Sequence, residues 1–273
     1  MKINVFNTFV GLTLILGLFA SCKDKPKNGR TDTYSSGTIK FVSDESFSPI
    51  IDEQREIFEF VYPKAKLVPI YTNELDGVNM LMKEQVYLAI TSRNFTDKEV
   101  ANLEARRFQP IAIPLAFDGL ALIVNNSNPD TIISVNDIKQ ILSGKVAKWK
   151  ALYPNSKLDS IEVAFDNKQS STVHYCVDSL LGGKPINSPN IYAVDKSAEV
   201  IDFVEKHPNA IGIIGSNWLN DKRDTTNVTF KRNIRVMGVS RIHPATVESS
   251  WKPYQYYLWN GNYPLVRTIY ALL

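Results

Sequence analysis

Short apolar runs alternate with amphipathic stretches along most of this chain, and that alternation restricts the fold more than any single motif does. Residues 38–43 read as a strand. Residues 47–61 read as a helix with Ile50, Ile51, Ile57, Phe58 and Val61 toward a core and Pro49 in its first turn. Residues 67–71 then read as a strand, 74–83 as a helix and 87–90 as a strand, before a helix over 96–106 that Thr96 and Glu99 can open as a capping box. Strands and helices taking turns favour a largely parallel α/β sheet with helices on its faces, and ligands on such sheets sit beyond the carboxyl ends of the strands.

The apolar stretch from Pro110 to Asn126 is long for one strand and is interrupted by Pro114 and by Asp118-Gly119. It is expected to form two strands meeting at a crossover into a second domain. Beyond it, helices are expected over 135–142, 172–181 and 198–206, and strands over 161–165, 211–214 and 234–239, with a polar loop over 221–227. The expected division is a discontinuous first domain of 38–119 and 236–273, and a second domain of 120–235.

Several strand-to-helix junctions share one chemistry. Val163-Ala164-Phe165 ends a strand just before Gln169-Ser170-Ser171-Thr172, where a helix start offers unpaired backbone N–H groups beside three hydroxyls. Ser43-Asp44-Glu45-Ser46-Phe47 and Thr91-Ser92-Arg93-Asn94 repeat the pattern, and Tyr71-Thr72-Asn73 is a fourth example. Each alone is equally an ordinary N-cap. Converging at one sheet edge, they would form a pocket of neutral donors suited to a dehydrated tetrahedral oxyanion.

The N-terminus gives the address. Lys2 precedes an apolar run from Phe9 to Ala20 that is too short to span a membrane and reads as a signal peptide over 1–21. Leu18-Phe19-Ala20-Ser21-Cys22 resembles a bacterial lipobox, with Cys22 as the lipidated residue. The polar stretch 22–37, rich in Lys, Pro, Gly and Ser, is expected to be a flexible tether. Cys176 is the only other cysteine, so no intrachain disulfide forms once Cys22 carries lipid, and its neighbours Val173, Val177 and Leu180 mark it as a buried small hydrophobe. The formal charge of +3 is spread along the chain, which argues against a nucleic-acid partner.

The order and spacing of SDESFSPI (43–50), AITSRNFTDKE (89–99), DGLALIVN (118–125), LSGKVAKWK (142–150), FDNKQSSTVHY (165–175), NAIGIIG (209–215) and YPLVR (263–267) resemble the phosphate-binding protein of the high-affinity phosphate ABC transporters, in the lipoprotein form of Bacteroidetes-type bacteria. The resemblance runs over most of the chain from Thr38. It implies a two-domain periplasmic binding protein-like α/β fold with two crossover strands, a ligand cleft between the domains and closure by a hinge. It also implies a monomer, lipid-anchored in the cell envelope and facing the periplasm, that passes inorganic phosphate to an ABC permease without cofactor or metal. Inner and outer membrane are not distinguished.

By this resemblance Ser46 and Phe47 fall on the first phosphate-donating loop, and Ser170 and Thr172 on the Ser and Thr of a GSGT turn, with Ser171 in place of its middle glycine. Thr72 and Ser92 stand on the other two junctions. The family's phosphate-accepting Asp aligns with Arg93, and its arginine with Asp166. The expectation is a charge exchange in which Arg93 supplies the bidentate cation and Asp166 the acceptor. An acceptor discriminates, because hydrogen phosphate carries a proton near neutral pH and sulfate does not.

Other patterns carry less. His174 follows Ser170 by one helical turn, yet no nucleophile-elbow motif accompanies it, and the three histidines lack metal-ligand spacing. Trp149 and the aromatic run 254–263 are expected to pack between domains rather than hold a sugar. The members of the resembled family continue beyond YPLVR, so for the apolar end Thr268–Leu273 two expectations stand, a truncated chain or a compact variant that closes differently. Competing functions are a binder of another oxyanion or anionic solute, a phosphoester hydrolase, or an adhesion protein on the same fold.

Overall fold

The computed structural model describes residues 33–219 and 233–273. The expected signal peptide, Cys22, nearly all of the tether and the polar loop 221–227 lie outside the described residues. Two sheets share one long strand. In the first, β1 (Ser36–Asp44) pairs in parallel with β2 (Lys64–Thr72) and β3 (Ala89–Thr91), placing Ile39 opposite Leu67 and Val42 opposite Ala89. β1 therefore starts two residues inside the stretch expected to be tether, because Ser36 and Gly37 are held in register by Lys64 and Ala65.

The helices α1 (Ser48–Val61), α2 (Glu74–Met82) and α3 (Asp97–Ala105) provide the connections. Their starts follow from local chemistry. Proline occupies the first turn of α1; the Asn73 side chain accepts from Asp76 N at α2; and Thr96 and Glu99 form a reciprocal capping box at α3.

β4 (Ala112–Asn125) is one unbroken strand of 14 residues, where two were expected. It changes partners rather than breaking. Pro114 is tolerated on the half of β4 that pairs along a single edge, and the ladder shifts register there. At Gly119 a side chain would lie 2.8 Å from Leu258 and 3.1 Å from Pro253, so only glycine lets the strand cross at this point.

The second lobe comprises β5 (Ile132–Ser134), α4 (Val135–Leu142), α5 (Trp149–Leu152), β6 (Glu162–Phe165), α6 (Ser171–Tyr175), β7 (Ile191–Ala193), α7 (Ser197–Lys206) and β8 (Ala210–Gly215). α6 continues into a π-helical turn over Cys176–Leu180. The second half of β4 pairs with β8 and with β9 (Ile234–Val236), and β8 with β6 in parallel. Both faces of this sheet are covered. Leu120, Leu122 and Val124 pack toward Ile138, Ile141, Trp149 and Cys176, while Ala121 and Ile123 pack toward Val200, Ile201 and Val204 of α7. That two-sided burial is why the run reads as continuously apolar, and each buried Leu, Ile or Val contributes roughly 1.5–3 kcal/mol.

The chain rejoins the first sheet later than expected. β10 (Gly238–Ser240) and β11 (Ser250–Trp251) form a small sheet with β5; α8 (Gln255–Trp259) follows; and Tyr263 and Leu265 belong to the second lobe's core. The return begins with β12 (Val266–Leu272), which inserts antiparallel between β3 and β4. Residue 236 is thus not the boundary, because the apolar residues of β9 and β10 face the second core. The apolar C-terminal stretch is a central strand, with Ile269 and Ala271 against α1 and Leu272 against α2.

Candidate functional site at the junction of the lobes

The site grows from the end of β1. Asp44, nearly fully buried, accepts from Ser46 N at 2.9 Å and from Ser46 Oγ at 2.5 Å, which folds the next residues into a 3-10 turn over Glu45–Phe47. The same carboxylate reaches the other lobe, accepting from Ser171 N at 3.1 Å and Ser171 Oγ at 3.0 Å. Glu45 does likewise at α7, where Ser197 N and Oγ donate to Oε2 at 3.1 and 2.8 Å. The Ser46 carbonyl accepts from Asn217 Nδ2 and Trp218 Nε1, both at 3.0 Å. One loop of the first lobe thus satisfies donors at the starts of α6 and α7, including a backbone N–H that each helix leaves open, and the side chains of Asn217 and Trp218.

Arg267, 4% exposed on β12, lies at the centre of this junction. Its Nε and Nη2 donate to Asp118 Oδ2 at 2.9 and 2.8 Å, its Nη1 to Ser171 Oγ at 2.8 Å, and its Nη2 to Ser46 Oγ at 3.2 Å. The guanidinium carbon stands 4.6 Å from the centre of the Phe47 ring, a cation–π contact between two buried groups. Ser216 Oγ completes the shell by donating to Asp118 Oδ1 at 3.0 Å.

Beside this junction a cavity of about 260 Å³ is lined by Asp44, Tyr71, Thr72, Asp166, Ser170 and Lys196, among others. Asp166, 1% exposed at the end of β6, accepts from Ser170 Oγ at 2.6 Å, with Thr172 Oγ1 at 3.4 Å. Burial raises its pKa to about 7, reinforced by the negative charge of Asp44 and opposed by the bond from Ser170. Asp44 is also raised, by burial first, with the hydrogen bond from Ser46 opposing.

A second polar cluster surrounds Glu74 at the start of α2. Its buried carboxylate accepts from Thr91 Oγ1 at 2.5 Å, from Ser92 N and Ser92 Oγ at 2.9 Å each, and bonds His174 Nδ1 of the other lobe at 2.7 Å. Burial raises the Glu74 pKa, but the bonds from His174, Thr91 and Ser92 outweigh it and bring the value down to about 2. Among the described residues no group of His, Cys, Asp and Glu is placed to hold a metal ion, and no helix is long and apolar enough to cross a membrane.

A model of the PBP superfamily domain matches residues 28–273, nearly the whole chain. The chain belongs to the PBP superfamily. Its relatives in this superfamily include the phosphate-binding protein PstS of Borreliella burgdorferi, 22% identical over 85% of this chain and 77% of the relative. PstS of Pseudomonas aeruginosa is 23% identical over 86% of this chain and 72% of its own length. Among solved structures, a substrate-binding protein with bound phosphate from Clostridium perfringens superposes with a TM-score of 0.68 at 19% identity, and an ABC-type phosphate transport receptor from Vibrio cholerae with 0.60 at 21%; each alignment covers 86% of both chains.

In this PBP superfamily chain the expected residues separate into two groups. Ser46, Phe47, Asp166, Ser170, Ser171 and Thr172 gather at the junction, and Thr72 lines the neighbouring cavity. Ser92 and Arg93 belong to the Glu74 cluster instead. Arg93 does not face Asp166: its Nη1 and Nη2 each donate to Glu99 at 2.8 Å, and its Nε lies 3.8 Å from Glu74. The expected charge exchange is therefore corrected. Glu99, already fixed by the capping box of α3, presents a fork-shaped acceptor at the start of that helix, and the guanidinium takes it.

Two residues that build the junction are not singled out by the sequence: Asp44 lies in SDESFSPI beside Ser46, and Arg267 lies in YPLVR. A signal for Arg267 existed in hindsight: a lone arginine inside an apolar C-terminal strand needs a buried partner, and Asp118 is the matching acid in DGLALIVN. His174 and Ser170 do not form a nucleophile–base pair, since their side chains turn to Glu74 and Asp166 respectively.

Proposed function

We propose that this chain is a solute-binding protein that captures inorganic phosphate between its lobes and delivers it to an ABC permease. The carrying observation is the junction of Asp44, Ser46, Ser171 and Arg267, where both lobes and a crossover strand contribute to one buried polar shell. Arg267 is largely balanced by Asp118, so recognition rests on neutral hydroxyls, backbone N–H groups and carboxylate acceptors rather than on surplus positive charge. Such a shell favours an oxyanion that brings its own protons. Phosphate has them near neutral pH and sulfate does not, so a buried carboxylate repels sulfate and is left without a donor.

The relatives that bind phosphate support this reading, and so does the sharing of β4 between the two sheets, a hinge-like connection. The protein binds rather than turns over its ligand. A signal peptide over 1–21 and a lipid on Cys22 would hold it at the cell envelope, facing the periplasm as a monomer. The test is a competition thermal shift. Phosphate at about 100 times its Kd stabilises by about 2.7 kcal/mol by mass action, whereas equal sulfate leaves the midpoint unchanged. A larger shift with sulfate, or release of product from a chromogenic phosphoester, overturns the reading.

A further inference from the structure

Two buried carboxylates, not one, border the cavity at the junction. Asp44 is 2% exposed and Asp166 is 1% exposed, and both line the same space of about 260 Å³. Their remaining acceptor capacity differs from that of ordinary capped acids. A carboxylate has roughly four lone-pair sites. At Asp44, Oδ1 is used by Ser46 and Ser171, while Oδ2 takes only the Ser171 N–H. At Asp166, Oδ1 takes Ser170 Oγ, Oδ2 has the long contact from Thr172, and the Asn167 N–H also bonds the carboxylate, which leaves part of its lone-pair capacity open. Each acid therefore keeps an oxygen able to accept from a molecule in the cavity.

Charge balance points the same way. The surrounding charged groups are Arg267, already engaged by Asp118; Glu45, tied to Ser197; Asp195 and Lys196 at the cavity wall; and Glu74, whose charge also acts on Asp44. Tyr71 faces the cavity with its hydroxyl directed to Asp52. Among the described residues that border the cavity, Lys196 is the one cation, and it stands exposed at the wall while Arg267 is held by Asp118, so a dianion beside Asp44 and Asp166 is not offset charge for charge.

Resting on the phosphate reading above, we propose that Asp44 and Asp166 act together as acceptors selecting the doubly protonated monoanion of phosphate over the dianion. Each acid accepts one ligand O–H. The dianion has a single O–H and adds a charge, so it enters only if a proton is taken up with it, on the ligand or on Asp166. The raised pKa of Asp166 is in keeping with a proton being held at this position. The proton comes from solvent and forms an O–H bond on the ligand or on Asp166, and no P–O bond is made or broken.

The experiment is titration calorimetry of inorganic phosphate into the full chain between about pH 7 and about pH 9, in buffers of different ionisation heat, with Asp166→Asn alongside. The expected result for the unmodified chain is uptake of about one proton per phosphate bound and an affinity for total phosphate that falls about tenfold per pH unit. Asp166→Asn, which is isosteric and removes one charge, is expected to cut the uptake toward zero and flatten the fall. Phosphate binding with flat affinity and no proton uptake overturns the inference and leaves phosphate capture standing. An Asp166→Asn variant with the unmodified chain's profile overturns the part given to Asp166. No binding at any pH overturns both. If the variant does not fold, proton uptake by the unmodified chain still decides.

Discussion

Arg267 and Asp118 face each other across the two crossover strands, with Nε and Nη2 at 2.9 and 2.8 Å from Oδ2, and both residues are buried. They are directly opposed in the β12–β4 ladder, so the pair is built into the strand register and does not depend on loop conformation.

Arg267→Ala removes the partner of a buried acid and the donors to Ser46 and Ser171 together. The expected loss is about 3–5 kcal/mol of folding stability, because an uncompensated buried charge is left behind. It is read as a shift in the urea midpoint at constant slope. Arg267→Lys keeps the charge but cannot reach Asp118, Ser171 and Ser46 at once, so it is expected to recover part of the stability and little of the phosphate affinity.

Arg93→Ala tests the opposite case. Arg93 is spent on Glu99, and Glu99 retains its bond from Thr96 N without it. Phosphate affinity by calorimetry is expected to stay within about twofold, with a stability loss of about 0.2–1 kcal/mol typical of a partly exposed ion pair. A tenfold loss of affinity would restore Arg93 to the ligand shell.

How much of this was open to sequence reasoning depends on the range of the interaction involved. Capping by Thr96 and Glu99, the helix over 135–142 and the strand–helix alternation are local, and hydroxyl and N–H chemistry at Ser170–Thr172 could be placed on a helix start. The direction in which long side chains turn is not local. Arg93 lies within a few residues of Glu99 and also near Glu74, and only the packing of α2 and α3 decides that it turns away from the junction. Asp44 reads as a plain N-cap until Ser171, distant by 127 positions, brings an N–H to its other oxygen. The full length of β4 is hidden in the sequence for a related reason: a proline and a glycine look like breaks unless the unpaired edge and the crossing of Leu258 are known.

Asp166→Asn has a second, ligand-free consequence. A carboxyl whose folded pKa is about 7, against an ordinary value of 3.8, holds a proton in the native state that the unfolded chain releases. Between these values stability from this group falls as pH rises, and above about pH 7 the full cost is present. The asparagine variant, measured without phosphate, is expected to be more stable than the unmodified chain at about pH 8 and to lose that advantage toward about pH 4. Thermal midpoints at the two pH values check the sign. An advantage confined to the acid side would contradict the burial of a charged acid here.

The bond between His174 and Glu74 joins the lobes at a second point, separate from Arg267, and its pH dependence has a definite direction. The His174 pKa is raised above 6.5, first by its hydrogen bond to Glu74 with burial opposing, and that of Glu74 is lowered to about 2. The histidine contribution is complete below its ordinary pKa and is lost as pH rises through the raised folded value; the glutamate contribution is complete above 4.5 and is lost only toward about 2. Both are present together in mildly acidic solution. His174→Gln keeps a neutral donor but no charge, so its stability deficit relative to the unmodified chain is expected to be largest near about pH 6 and to shrink by about pH 9. Taking the difference between the two proteins at each pH cancels the separate titration of Asp166. A deficit of equal size at both pH values would mean that His174 holds the lobes only as a neutral hydrogen-bond donor, with its charge playing no part in closure.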